Sequence, residues 1–243
     1  MSPTSSSELS PLEQRRAELA GNLAQVRKRI DAACAAAGRD AAEVALIAIT
    51  KTKPASDVAL LSELGLRDFG ENRDAEAAAK AAACAGLAVR WHFVGQLQTN
   101  KAPSVARYAD VVHSVDRGRL VRALGTAARA AGRELTCLVQ VSLDDDPARG
   151  GVRPDGLLGL AGELEAEPGL LLGGVMAMAP LHVTPADVFA PLRSCSAVVR
   201  SVRADATIIS AGMSADLEPA IEAGATHVRI GTALLGGRKP PVR

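Results

Sequence analysis

The chain has 243 residues, with 28 basic and 27 acidic side chains and a net charge of +1, so it carries no long-range attraction for a polyanion or an anionic membrane. Aromatic residues make up only 2% of the sequence, too few to stack the bases of a single-stranded nucleic acid. The length is ordinary for one (β/α)8 barrel and ample for a full core, so one domain is expected, without nucleic-acid or membrane partners.

Residues 1–10 are mostly Ser, Pro and Thr, which predicts a disordered tip, with one barrel domain over 11–243. A helix is predicted over 11–37, because Leu12, Leu19, Leu23, Val26, Ile30 and Cys34 recur at helical spacing. Arg15, Arg16, Glu18, Arg27, Lys28 and Asp31 fall off that stripe, and Gly38 is a suitable helix stop. Beyond it, short apolar runs at 44–50, 67–69, 88–94, 110–115, 135–141, 170–176, 206–210 and 227–230 read as strands. Ala-rich helical stretches starting near Ala55, Arg73, Lys101, Arg117, Pro154, Thr184, Ser214 and Thr232 alternate with them. Eight strand–helix units predict a parallel α/β fold, a single closed TIM-type barrel with an extra N-terminal helix. An open doubly wound sheet is the alternative. Residues 236–243 read as a basic, proline-containing tail.

Cys34, Cys84, Cys137 and Cys195 form no CxxC pair and read as buried reduced thiols. No charged n-region with an apolar h-region opens the chain, and no apolar run is long enough to span a bilayer. The expected compartment is the cytoplasm.

Barrel active sites lie at the C-terminal ends of the strands. Lys51 follows the first strand and shares a face with Ile47 and Ile49 by two-residue alternation. Desolvation there favours the free amine that a Schiff base needs, although a lysine that snorkels into solvent is the commoner outcome of such spacing. Lys53 sits in the turn before Pro54, a candidate N1 residue. The segment 210–220 contains Ser210 and Gly212 and opens a helix, with Ser214 as a candidate N-cap. With Gly231-Thr232 after the last strand, it offers backbone N–H groups to a phosphate; plain helix capping explains the same residues. Arg229 interrupts an apolar strand and needs a ligand or a partner. His92 reads as a satisfied core group, and His113 and His182 call for no special role. Asp144-Asp145-Asp146 reads as a solvated acidic loop rather than a metal site, and Lys101 as a surface charge.

The ordered segments Thr50-Lys51-Thr52-Lys53-Pro54, Phe69-Gly70-Glu71-Asn72, Trp91-His92-Phe93-Val94-Gly95-Gln96-Leu97-Gln98-Thr99-Asn100-Lys101, Gly212-Met213-Ser214-Ala215-Asp216 and Val228-Arg229-Ile230-Gly231-Thr232 resemble the pyridoxal phosphate homeostasis protein family, over about 44–238. The fold of that family is similar to the barrel domain of alanine racemase. The resemblance implies pyridoxal 5′-phosphate (PLP) as cofactor, with Lys51 as its Schiff-base lysine. It places Ser214, Gly231 and Thr232 at the phosphate, Arg229 at the pyridine nitrogen, and Asn72 and His92 along the pocket. Ser210 and Gly212, in the same loop as Ser214, complete the expected cofactor-binding set. Arg73 stands where the family often has tyrosine, Arg149 where a lysine is common, and Thr99 for a frequent serine.

A cation at the ring nitrogen disfavours its protonation and makes the ring a poor electron sink. No second domain supplying a further base is expected after the last strand. The resemblance implies no established catalytic reaction, so the expected function is buffering PLP or delivering it to apo-enzymes, as a monomer. The alternatives are a weak PLP-dependent amino-acid racemase and, from another class, a Schiff-base aldolase acting on a phosphorylated sugar.

Overall fold

The computed structural model describes residues 9–143, 150–179 and 189–237. Eight parallel strands close on themselves in chain order, as the alternation predicts. They are β1 (Ala45–Ile49), β2 (Asp68–Glu71), β3 (Arg90–Phe93), β4 (Val111–Val115), β5 (Leu135–Gln140), β6 (Leu170–Met176), β7 (Ile208–Ser210) and β8 (His227–Ile230). Closure is made where Ala45 through Ala48 of β1 pair with His227 through Ile230 of β8.

Around the barrel, among the described residues, stand α2 (Ala55–Glu63), α3 (Asp74–Ala83), α4 (Ala102–Tyr108), α5 (Gly118–Ala130), α6 (Leu157–Ala166), α7 (Leu192–Val202), α8 (Leu217–Glu222) and the short α9 (Thr232–Leu235). The helix expected from Thr184 begins outside the described residues, as does the Asp144-Asp145-Asp146 loop.

The N-terminal helix α1 (Pro11–Ala36) starts at a capping box. Ser10 Oγ accepts the Glu13 N–H while the Glu13 carboxylate accepts the Ser10 N–H, a pairing that satisfies two orphan donors at once. Ser10, expected within the disordered tip, therefore belongs to the helix; residues 1–8 lie outside the described set. Since α9 has only four residues, α1 covers the flank a full eighth helix would cover. Its Leu19, Leu23, Val26 and Ile30 are buried. Arg15 pairs with Asp57 of α2, Arg29 with Glu218 of α8, and Asn22 donates to the Leu234 carbonyl of α9.

Side chains alternate across each strand. The outward ones, such as Leu46, Ala48 and Phe69 on one side and Val112, Cys137 and Val139 on the other, join the helices in two large apolar clusters. Inside the barrel, Val111, Leu138 and Met176 form a small apolar group. Ile47 and Ile49 also face inward, but much of the interior is polar: Asp68, His92, His113, Ser210 and Arg229 are all buried and bonded in series. That differs from the layers of branched aliphatic side chains that usually fill such a barrel.

The four cysteines are free and buried, and burial pushes the Cys137 thiol up to about 12. No described helix is long and apolar enough to cross a membrane. Among the described residues no cluster of three or more His, Cys, Asp or Glu could hold a metal ion.

Candidate functional site

At the C-terminal mouth of the barrel a cavity of about 440 Å³ is lined by Ile49, Lys51, Asn72, Gln96, Met178, Ser214, Arg229, Gly231 and Thr232, among others. That volume lies within the roughly 300–1,000 Å³ typical of small-molecule sites. The ends of β1, β2, β7 and β8 thus bring Lys51, Asn72, Ser214, Arg229, Gly231 and Thr232, far apart in sequence, to one cavity.

Lys51 stands two residues beyond β1, half-buried, on the same side as Ile49, as alternation predicts. It makes no hydrogen bond or ion pair with any described residue, whereas Lys53 donates to the Gly237 carbonyl at 3.1 Å. The turn that carries Lys51 is held by a buried polar cluster. Thr50 Oγ1 donates to Glu71 Oε1 at 2.6 Å, Lys80 Nζ donates to the Thr50 carbonyl at 2.8 Å, and Lys80 also pairs with Glu71 and Glu76. The Thr52 N–H donates to Glu76. Thr52 itself has φ 66°, a left-handed conformation that costs a β-branched residue about 1–2 kcal/mol. Burial pushes the Glu71 carboxyl up, and its bonds from Lys80 and Thr50 oppose that.

The opposite wall is built by the turns after β7 and β8. Gly212 has φ +89°, and a Cβ there would sit 2.7 Å from the Ala220 side chain, so only glycine fits this turn. Ser214 was expected to cap the following helix, but Asp216 takes that position. Asp216 Oδ1 accepts the Met213 N–H at 2.5 Å and closes the turn two residues later than the spacing suggests. Ser214 Oγ instead accepts the Ala233 N–H at 3.3 Å, tying the two turns together. The backbone N–H groups of Ser214, Ala215, Gly231 and Thr232 make no hydrogen bond among the described residues. Backbone N–H groups of turns make anion-binding concavities where they converge.

Arg229 reaches the cavity from inside the barrel. Its Nη1 donates to Ser210 Oγ at 2.6 Å and its Nη2 to the Ala177 carbonyl at 2.9 Å. Burial pulls the guanidinium down to about 10, and Asp216 opposes this, so it stays charged at neutral pH. Asn72 is placed on the rim by a close approach of Gly95, where a Cβ would lie 2.2 Å from the Asn72 carbonyl oxygen.

Three members of the expected set do not line the cavity. His92 lies beneath it, bonded to Asp68 and His113, which corrects its placement along the pocket and matches a satisfied core histidine. Ser210 is fully buried and touches Arg229 rather than the cavity. Gly212 shapes the turn without facing in. Reading motif by motif missed His113, whose Nδ1 lies 3.0 Å from Ser210 Oγ, and Lys80, which looked like one charge in the Ala-rich stretch DAEAAAKAAA. Two-residue alternation along β4 turns His113 inward with Val111, and that signal was available.

The chain matches the alanine racemase N-terminal domain family over residues 21–239. It is 45% identical to the pyridoxal phosphate homeostasis protein of Mycobacterium tuberculosis H37Rv, over 96% of this chain and 97% of that protein. It is 38% identical to the protein of the same name from Escherichia coli K12, over 91% of this chain and 97% of that protein. Among solved structures, PipY of Synechococcus elongatus PCC7942 with PLP bound is similar at a TM-score of 0.79 and 33% identity, covering 90% of this chain and 100% of that one.

Proposed function

Because this chain belongs to the pyridoxal phosphate homeostasis protein family, we propose that its barrel-mouth cavity holds PLP as a Schiff base on Lys51. The chain binds PLP and acts in PLP homeostasis. The bound cofactor supplies a reactive aldehyde, which a primary amine takes up as an imine with release of water and which a second amine can take away again.

The observation that carries the site assignment is the meeting at one cavity of three features: a lysine amine and a set of backbone N–H groups that have no partner among the described residues, and a buried guanidinium. Lys51 takes the aldehyde carbon. The N–H groups of Ser214, Ala215, Gly231 and Thr232 receive the phosphate, where concentrated amide dipoles favour a dianion. Arg229 faces the pyridine nitrogen and, as a donor-only cation, leaves that nitrogen unprotonated. Asn72 borders the ring. His92, Ser210 and Gly212 act on the cofactor indirectly, by holding residues that touch it.

An unprotonated ring withdraws electrons weakly, so the site holds the cofactor rather than driving reactions through carbanions. The reversible imine suits storage and transfer to apo-enzymes. We take the protein to work as a monomer: among the described residues the exposed large apolar side chains, Leu9, Leu12, Leu158 and Met213, form no broad docking face.

Absorbance of the purified protein incubated with PLP, before and after borohydride, tests this reading. The parent is expected to show an imine band that is lost on reduction, with the mass of the chain raised by one reduced cofactor at Lys51. Lys51→Ala is expected to show neither. A colourless, unreactive parent would overturn the assignment and revive an aldolase-type lysine.

A further inference from the structure

The barrel interior contains one unbroken file of hydrogen-bonded side chains. It starts at Asp68 on β2, which pairs with Arg90. Asp68 Oδ1 lies 2.8 Å from His92 Nε2, His92 Nδ1 lies 2.9 Å from His113 Nε2, and His113 Nδ1 lies 3.0 Å from Ser210 Oγ. The last link is the 2.6 Å bond from Arg229 to Ser210. Asp68, His92, His113, Ser210 and Arg229 are each no more than 7% exposed, so no bulk water competes for these bonds.

Donor and acceptor chemistry gives this file a single direction. A guanidinium only donates, so Ser210 Oγ accepts from Arg229. Among the described residues the Ser210 hydroxyl hydrogen then has one place to go, His113 Nδ1. A neutral imidazole that accepts at Nδ1 donates at Nε2, so His113 donates to His92 Nδ1. By the same rule His92 donates from Nε2 to the Asp68 carboxylate, which only accepts. Every hydrogen has a partner, and the dipoles run head to tail from the cation to the anion, an arrangement in which each bond strengthens the next. The reverse direction would strand the Ser210 hydroxyl hydrogen in a fully buried place, at a cost of about 1–3 kcal/mol.

We propose that Asp68, His92, His113 and Ser210 form a one-way positioning relay, which locks Arg229 in the orientation it presents to the ring nitrogen of PLP, on the premise that the cavity holds PLP as above. With its hydroxyl hydrogen committed to His113, Ser210 turns a lone pair to Arg229 and cannot rotate away. The Ala177 carbonyl holds the other terminal nitrogen. Asp68 sits three side chains from Arg229 along the file, on β2, which only β1 separates from β8, and supplies the anion that fixes the sense of the file. Burial and the nearby His92, Arg229 and His227 keep His113 neutral, its pKa well below the ordinary histidine value, as an accepting Nδ1 requires.

Two measurements separate the relay from the cofactor reading. The first is 15N–1H correlation of the histidine side chains in the PLP-free protein. His92 and His113 are both expected as the Nε2–H tautomer, with Nε2 protons slow to exchange. Finding either as the Nδ1–H tautomer or as an imidazolium overturns the relay, whatever the protein binds. The second compares Asp68→Asn and Ser210→Ala with the parent by the absorbance maximum of the bound cofactor and by PLP titration. Both variants are expected to shift the band and to weaken binding roughly three- to ten-fold, the worth of about one hydrogen bond. Folded variants that lose thermal stability but keep the parent band and affinity would show a structural file with no positioning role, and would overturn the proposal. Should Asp68→Asn fail to fold, Ser210→Ala and the parent tautomers still decide it. A parent that gives no imine band removes the cofactor premise, and the positioning role falls with it, while the tautomers still report the direction of the file.

Discussion

Lys80 Nζ lies 2.8 Å from the carbonyl oxygen of Thr50, so a cation from α3 holds the residue immediately before Lys51. The same ammonium pairs with Glu71 and Glu76, and Lys80 is only 6% exposed. The lysine proposed to react and the lysine that supports its turn thus sit on consecutive βα units, with opposite requirements. One needs a free amine; the other needs its charge fully paired.

Lys80→Met is therefore expected to strand the Glu71 carboxylate, whose Oε2 has no partner among the described residues even with Lys80 present. Removing one member of a buried pair costs about 3–5 kcal/mol. Urea denaturation should show a loss of that size, and adding Glu71→Gln should recover part of it. A loss below about 1 kcal/mol would mean that the pair is hydrated in solution.

Thr52→Gly should act in the other direction. The left-handed conformation at φ 66° costs threonine about 1–2 kcal/mol, and glycine gives back about 0.5–1 kcal/mol in chain entropy. A net gain of about 0.5–1 kcal/mol is expected in thermal unfolding, together with faster imine exchange at Lys51 because the turn is looser. Unchanged exchange would place the rigidity elsewhere, in the bonds of Thr50.

Gly212→Ala puts a methyl group 2.7 Å from Ala220 at a φ of +89°. Backbone strain and overpacking together should cost about 2–4 kcal/mol. Because the same turn presents Ser214 and Ala215, PLP affinity should fall more than pyridoxal affinity, the difference between the two ligands being the phosphate. Equal losses for both would argue against a phosphate cradle at this turn.

Acid should unfold the barrel from within. Burial pushes His227 down to about 4, with a further push from His92 and Arg90, and His113 falls well below its usual value for the same first reason. Both are neutral when folded, while the unfolded chain takes up protons below about pH 6.5. The unfolded state binds more protons in that range, so stability falls as pH drops from about 6.5 toward 4. For His227 alone the loss is roughly 3 kcal/mol at about 1.4 kcal/mol per unit. Asp68 extends the loss: burial raises its pKa, but bonds from His92 and Arg90 outweigh that and hold it at about 2, so protonating it costs more stability between about pH 4 and 2. A stability plateau from pH 7 to 4 would contradict these buried neutral histidines.

Much of the architecture was legible before any coordinates. The run Leu46-Ile47-Ala48-Ile49 is too short and apolar for anything but a buried strand, and eight such runs alternating with helical stretches imply parallel pairing. The places of Lys51, Arg229 and the Gly231-Thr232 pair at strand ends were legible as well, and all of them line the cavity, but spacing alone also allowed a solvated lysine and plain helix capping. Ser10 and Ser214 were misplaced for the same reason: a cap depends on where one backbone turn closes, and Asp216 competes with Ser214 within two residues.

The one-dimensional pattern by itself determined the eight strand–helix units, the position of Lys51 at a strand end and the glycine-bearing turns, since each follows from periodicities and dihedral preferences acting over a few residues. Only the tertiary structure decided that Lys80 is buried rather than solvated, that Ser210 holds Arg229 and not a ligand, and that Asp68, His92 and His113 stand in line behind it. The bonds of Ser210 to Arg229 and along the file to Asp68 join residues 19 to 97 positions apart. Barrel closure and strand register bring them together, and local propensity does not encode either over such separations.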